Sequence, residues 1–141
     1  GIRDYKVTGV QTCALPIFNT GLEIRKSVLG EDYVNRALEN ADDFSRPFQE
    51  YVTEYCWGAI WGSDGLSRKQ RSLLNLGMLA GASRWQEFEL HFRGAFVNGL
   101  TEVELRDTIM QIGCYCGIPA GIEAMRVARR VLAERAEGDG E

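Results

Sequence analysis

The sequence predicts an all-α fold, a compact antiparallel bundle of about six or seven helices. Three observations predict it. Apolar residues recur at helical spacing, and no two-residue alternation survives beyond a few positions. Ser/Thr-x-x-Glu/Gln pairs, which cap helix starts, stand at Ser67–Gln70, Ser83–Gln86 and Thr101–Glu104. Gly81 and Gly99 stand where the glycine that follows a helix belongs.

Taken in order, a short helix is expected over 21–29, ended by Gly30, and a second over 32–38. Asp42 or Asp43 can cap a third, with Pro47 tolerated in or near its first turn, running through FQEYVTEYCWGAIW. Gly62, Asp64 and Gly65 form a loop. Helices over 68–80, 84–98 and 102 to about 115 follow, and their short links imply antiparallel neighbours. Pro119 breaks or begins the last helix, which runs to about Ala136 before a polar tail, 137–141. Leu73, Leu74, Leu76, Met78 and Leu79 surround most of one helix, which is therefore expected to be central. Phe88, Phe92, Ala95 and Phe96 form one apolar face, and Leu105, Ile109, Met110 and Ile112 another.

Residues 1–17, GIRDYKVTGVQTCALPI, read as translated sequencing-adapter DNA, with Tyr5-Lys6 at the variable index. They lack the compact apolar stretch of a signal peptide. The expected organisation is a non-native tail over 1–17, one helical domain over 18–136 and the polar tail. The chain has 141 residues, enough for one domain with a sizeable core. A net charge of −4 argues against nucleic acid, which requires a basic patch. No apolar run reaches the ~18 residues of a membrane span. Cys13, Cys56, Cys114 and Cys116 form no CxxC and no metal-like cluster with the single histidine, and read as reduced cytosolic thiols.

That histidine, His91, follows Glu87 by four positions and Arg84 by seven. At ~100° per residue the three fall within ~60° on one helix, at the border of its apolar stripe. The strip joins a cation, a carboxylate and the one side chain that titrates near neutral pH. It can bind an anion, polarise a carbonyl and move a proton; it also fits a solvated surface pair. Arg68 and Arg71 share a face at the start of the 68–80 helix, as an anion site or as a solvated helix end. Trp57 and Trp61, four apart, wall a pocket or fill the core.

The segments WGAIW, GLSRKQRSLLNLGMLAG, RWQEFELHFRGAFVNGLTEVELRDTIMQ and CYCGIPAG resemble the carboxymuconolactone decarboxylase family. The patterns W-G-x-x-W, G-L-x-R-x-x-R-S-L, E-x-x-x-H and Y-x-G-x-P occur in that order, and the likeness covers about 21–132. The wider alkylhydroperoxidase D-like superfamily carries C-x-x-C-x-x-x-H, whose cysteine positions are Arg84 and Glu87 here. A guanidinium and a carboxylate cannot exchange disulfides.

The resemblance implies an alkylhydroperoxidase D-like helical fold and a cytoplasmic homotrimer or homohexamer. It implies cofactor-free decarboxylation of 4-carboxymuconolactone to 3-oxoadipate enol-lactone, in protocatechuate breakdown through the β-ketoadipate pathway. Such a substrate is a small anionic lactone whose conjugated carbonyl accepts the electron pair left by CO₂, so neither metal nor cofactor is expected. His91 and Glu87 are then the catalytic pair. Arg84, Arg68, Arg71, Trp57 and Trp61 form the substrate site. The alternatives are thiol-disulfide chemistry at Cys56, Cys114 or Cys116, and a non-catalytic helical oligomerisation module.

Overall fold

A computed structural model describes residues 15–140. Cys13 and the rest of 1–14 lie outside the described residues. Seven α-helices and one π-wound segment account for the architecture, with no strand among the described residues. The all-α expectation is correct. Contacts divide the chain into two units, one up to Leu66 and one from Ser67.

The first unit holds α1 (Leu15–Leu29), α2 (Glu31–Glu39) and α3 (Arg46–Tyr51), which runs into a π-helical segment, Val52–Ile60. Helix α1 starts six residues before the expected Gly21, with Pro16 tolerated in its first turn. Asp42 does not cap α3 directly. Its carboxylate accepts the backbone N–H groups of Phe44 and Ser45, building the turn that delivers Ser45 to the N-cap. Beyond Tyr51 the expected α-helix is wound more widely, so that the Trp61 N–H reaches the Cys56 carbonyl, five residues back, at 2.9 Å.

Helix α1 lies against this segment through glycines. A Cβ on Gly21 would overlap the Thr53 carbonyl oxygen and approach the Gly58 nitrogen to 2.7 Å. Around this close approach, Ile24 and Val28 pack with Trp57 and Trp61, while Phe18, Leu22 and Val34 form a second cluster.

The second unit holds α4 (Arg68–Gly81), α5 (Trp85–Val97), α6 (Glu102–Cys116) and α7 (Ile118–Gly138). Helix α4 packs on α5 and α6, and α7 on α5 and α6. Their core is Leu76, Ala80, Phe88, Phe92, Ala95, Leu105, Ile109, Ile112 and the inner face of α7. Helix α4 is less central than its composition predicts. It buries only the strip Ser72, Leu76 and Ala80, one residue per turn, while Leu73, Leu74 and Met78 face outward at 36%, 51% and 54% exposure. Met110, expected in the core, is also exposed. One helix face suffices to meet the neighbours within this unit, so a helix that is apolar all round leaves the remainder uncovered.

The caps are also instructive. Ser67 and Gln70 form the full reciprocal box expected of them. The Thr101 hydroxyl accepts the Glu104 N–H at 3.2 Å, but the Glu104 carboxylate goes to Lys69 Nζ at 2.9 Å. Gly99 terminates α5 as expected, at φ 96°.

Gly81 does not play that part for α4: it is the last helical residue. Ser83 takes the left-handed position instead, at φ 58°. Its N–H reaches the Ala80 carbonyl at 3.1 Å, and the next N–H, of Arg84, reaches Leu79 at 2.8 Å. This paired closure is the usual glycine-terminated one, made by a serine. Ser83 therefore cannot cap α5, whose N-cap is Arg84.

Two stability predictions follow from this geometry. A non-glycine residue in the left-handed region is strained, so Ser83→Gly is expected to raise unfolding free energy by about 0.5–1 kcal/mol in denaturant titrations. Gly21→Ala forces α1 off the π-wound segment and is expected to cost about 2–3 kcal/mol in the same assay.

Candidate functional site

The Arg84–Glu87–His91 strip is assembled by the turn between α4 and α5. The Arg84 N–H closes α4, and its carbonyl accepts the Phe88 N–H at 2.8 Å to open α5. The guanidinium thus sits on the N-cap residue, exposed, rather than inside the first turn. Glu87 lies in the first turn of α5, where a carboxylate complements the helix dipole. One turn later His91 is half-buried beside Phe88 and Phe92, which are enclosed. Burial pushes the imidazole below its ordinary pKa, and the Glu87 carboxylate pulls it partly back. At neutral pH His91 is therefore an uncharged ring, able to donate one N–H and accept at the other nitrogen.

Arg68 opens α4 in the exposed first turn set by the Ser67 cap, and Arg71 lies half-buried on the same helix face. Helix α4 packs directly on α5, so these cations belong to the same unit as the His91 strip. Trp57 and Trp61 belong to the first unit. They stack at 4.9 Å between ring centroids and are 5% and 8% exposed, packed with Ile24 and Val28 in that unit's core.

Cys114 and Cys116 are exposed thiols in the last turn of α6, and Cys56 is a half-buried thiol in the π-wound segment. No group of three His, Cys, Asp or Glu side chains suited to a metal ion occurs among the described residues. A cavity of about 670 Å³ opens between α4 and α6, bordered by Lys69, Leu73, Glu104, Tyr115 and Cys116. Of the sequence-predicted residues only Cys116, a candidate for the alternative thiol chemistry, lines it; none of the expected decarboxylase site does.

Two groups escaped the sequence reading. Burial and the neighbouring Glu54 push the Glu50 carboxyl above its ordinary value. Arg25 is only 5% exposed, on the inner side of α1. A glutamate or an arginine at helical spacing carries no mark of burial; only the packing of α1 on the π-wound segment shows it.

Comparison with known proteins agrees with the motif order. The carboxymuconolactone decarboxylase family matches residues 46–130. The nitrosuccinic acid decarboxylase of Metarhizium robertsii is 49% identical over 116 residues, covering 82% of this chain and 81% of that protein. The 4-carboxymuconolactone decarboxylase of Acinetobacter baylyi is 40% identical over 117 residues, covering 83% and 87%. The 4-carboxymuconolactone decarboxylase of Pseudomonas putida is 39% identical over 41 residues, 29% of this chain and 85% of that sequence. With two decarboxylases matched over four-fifths of its length, this chain belongs to the carboxymuconolactone decarboxylase family and is a carboxy-lyase.

Proposed function

We propose that this protein decarboxylates 4-carboxymuconolactone to 3-oxoadipate enol-lactone, with His91 and Glu87 as the catalytic pair. The observation that carries the reading is the half-buried, uncharged imidazole one turn from a carboxylate, on a helix opened by an arginine. In this substrate the bond to the leaving carboxylate breaks toward a conjugated lactone carbonyl. Its electron pair moves through the ring alkene onto the carbonyl oxygen, and CO₂ departs. The His91 N–H then donates to the developing oxyanion, which strengthens as charge accumulates. The electron pair returns to carbon, which takes up one proton; Glu87 relays that proton from solvent or orients His91. Arg84 holds a carboxylate, for which a planar fork is suited; Arg68 and Arg71 open α4 at its other end, about 20 Å away along a 14-residue helix, and are not assigned to the same small substrate.

The 49% identity to a nitrosuccinic acid decarboxylase favours a second substrate of the same electronic kind. Nitrosuccinate is also a dicarboxylate, and its nitro oxygens accept the electron pair that the lactone carbonyl would take. An oxyanion donor with a neighbouring cation, Arg84, serves both. Thiol-disulfide chemistry has less support, because Arg84 and Glu87 occupy the positions its cysteines would need.

We assign the active form to a homotrimer or homohexamer. Leu73, Leu74 and Met78 of α4, Met110 on α6 and Ile118 and Ile122 on α7 are exposed apolar side chains of the kind that association of copies would cover. No described helix is long and apolar enough to cross a membrane; a cytoplasmic location accords with aromatic catabolism.

The direct test is ultraviolet monitoring of 4-carboxymuconolactone consumption, with nitrosuccinate run in parallel. His91→Gln and Arg84→Ala are each expected to lower kcat/KM by about 100-fold or more. Near-normal turnover in both variants would remove the site assignment. Proton binding gives a separate check. The folded His91 pKa lies below that of the unfolded chain, so the unfolded state binds more protons in that window. Stability is accordingly expected to fall as pH drops from about 6.5 through the folded value. His91→Gln should flatten that part of the curve.

A further inference from the structure

The first unit leaves a row of aromatic rings in water. Phe44, Phe48, Tyr51 and Tyr55 follow one another at steps of four, three and four residues, and their exposure runs from 52% to 95%. Phe48 and Tyr51 share a face of α3, a helix with no enclosed residue. Tyr51 stacks on Tyr55 of the π-wound segment, with ring centroids 5.6 Å apart. Phe44, the most exposed of the four, stands on the turn before α3. That turn is held by the Asp42 carboxylate, which accepts the N–H groups of Phe44 and Ser45. Together the rings expose on the order of 500 Å². Patches of that size on a monomer are commonly interaction sites.

Acidic residues run along this ridge. Asp42, Asp43, Glu50 and Glu54 stand among its rings against one cation, Arg46, which pairs with Asp43 at 2.8 Å. Two ridges of this sign repel each other, which opposes ridge-on-ridge pairing. Apolar surface of the opposite sign lies on the second unit. A cavity of about 250 Å³ opens between α6 and α7, walled by Phe96, Val103, Ile109, Met125 and Leu132. Met125 also borders a hollow of about 480 Å³ beside Ile122. Arg106, Arg126 and Arg129 line the two against a single acid, Glu102. The cavity between α4 and α6 has the wrong sign, with Glu104 and Asp107 against Lys69.

We propose that the aromatic ridge of one copy docks into the α6–α7 groove of a second copy, ring into hollow and acid against arginine. An apolar cavity of ~150 Å³ already takes a benzene ring, so the hollow of about 250 Å³ has room for the phenyl ring of Phe44. Arg106 and Arg129 then face the acids that flank the ridge. Burial and the Glu54 charge push the Glu50 carboxyl above its ordinary range, so a cation brought beside that pair is favoured. Ridge and groove are different patches. Each copy therefore offers both, and the contact runs head to tail, which closes into a ring where the rotation permits. This contact rests on the homotrimer-or-homohexamer reading above and supplies the surfaces that build it.

Analytical ultracentrifugation of the full chain, from nanomolar to high micromolar concentration, measures the association. The wild type is expected to sediment as a trimer or hexamer. Phe44→Asp changes a ring that lies almost wholly in water, so its helical circular dichroism is expected to match the wild type while association weakens at least tenfold. Arg129→Glu is expected to weaken association to a similar degree, and added NaCl to weaken the wild type several-fold. Arg106→Glu tests the same groove should Arg129→Glu not fold. Mixing fixes the orientation of the contact. The Phe44→Asp copy keeps its groove and the Arg129→Glu copy keeps its ridge, so an equimolar mixture is expected to form a heterodimer at concentrations where each alone is monomeric.

A wild type that stays monomeric throughout overturns this docking and the homo-oligomer reading together. A wild-type oligomer that neither Phe44→Asp nor the groove variants weaken overturns the docking alone. Failure of the mixture to form a heterodimer also overturns it, because two complementary patches on different copies would then not be meeting.

Discussion

The backbone of one residue, Arg84, holds the candidate site in register. Its N–H is consumed in ending α4 and its carbonyl in starting α5. With both groups committed, the phase of α5 is fixed from its first residue, and so is the direction in which Glu87 and His91 project. The cost of that turn falls on Ser83, held at positive φ just before it. Strain adjacent to a site is tolerated where the surrounding contacts over-determine it. Here the buried Leu76 and Ala80 on one side and Phe88 and Phe92 on the other supply those contacts.

From this turn the chemistry of the strip follows in a short chain. A cation at the helix start and a carboxylate in its first turn are both water-facing. The imidazole one turn deeper is partly withdrawn from water. Withdrawal keeps the ring uncharged, and an uncharged ring donates a hydrogen bond without adding a second positive charge to the strip. At the two positions before His91 where the alkylhydroperoxidase D-like pattern has cysteines, this chain has Arg84 and Glu87, which carry charge and cannot exchange disulfides.

Much of this was legible in the chain. The helical spacing of Phe88, Phe92 and Ala95, and the capping pair Ser67–Gln70, are local signals that tertiary packing had no reason to override. The misreadings share one cause. Ser83 resembles a cap by its spacing to Gln86, but a left-handed turn residue has no sequence mark when it is not glycine. Leu73, Leu74 and Met78 look like core because apolar character does not say which surface covers it. The burial of Arg25 depends on how closely Gly21 and Gly58 allow two helices to approach, a distance no periodicity encodes. For the site, spacing alone placed Arg84, Glu87 and His91 on one strip. It could not rank an anion site above a solvated pair without the motif order around them.

The π-wound segment carries a different kind of information. Each turn closed across five residues holds more chain than an α-turn of the same hydrogen-bonded ladder. Between Tyr51 and Trp61, chain length and helix phase are therefore decoupled. A single-residue insertion or deletion elsewhere in a helix rotates everything beyond it to the wrong face. Here part of the change can be taken up as rewinding within the segment. A change of chain length within this stretch therefore alters its own winding before it alters the phase of the helices on either side.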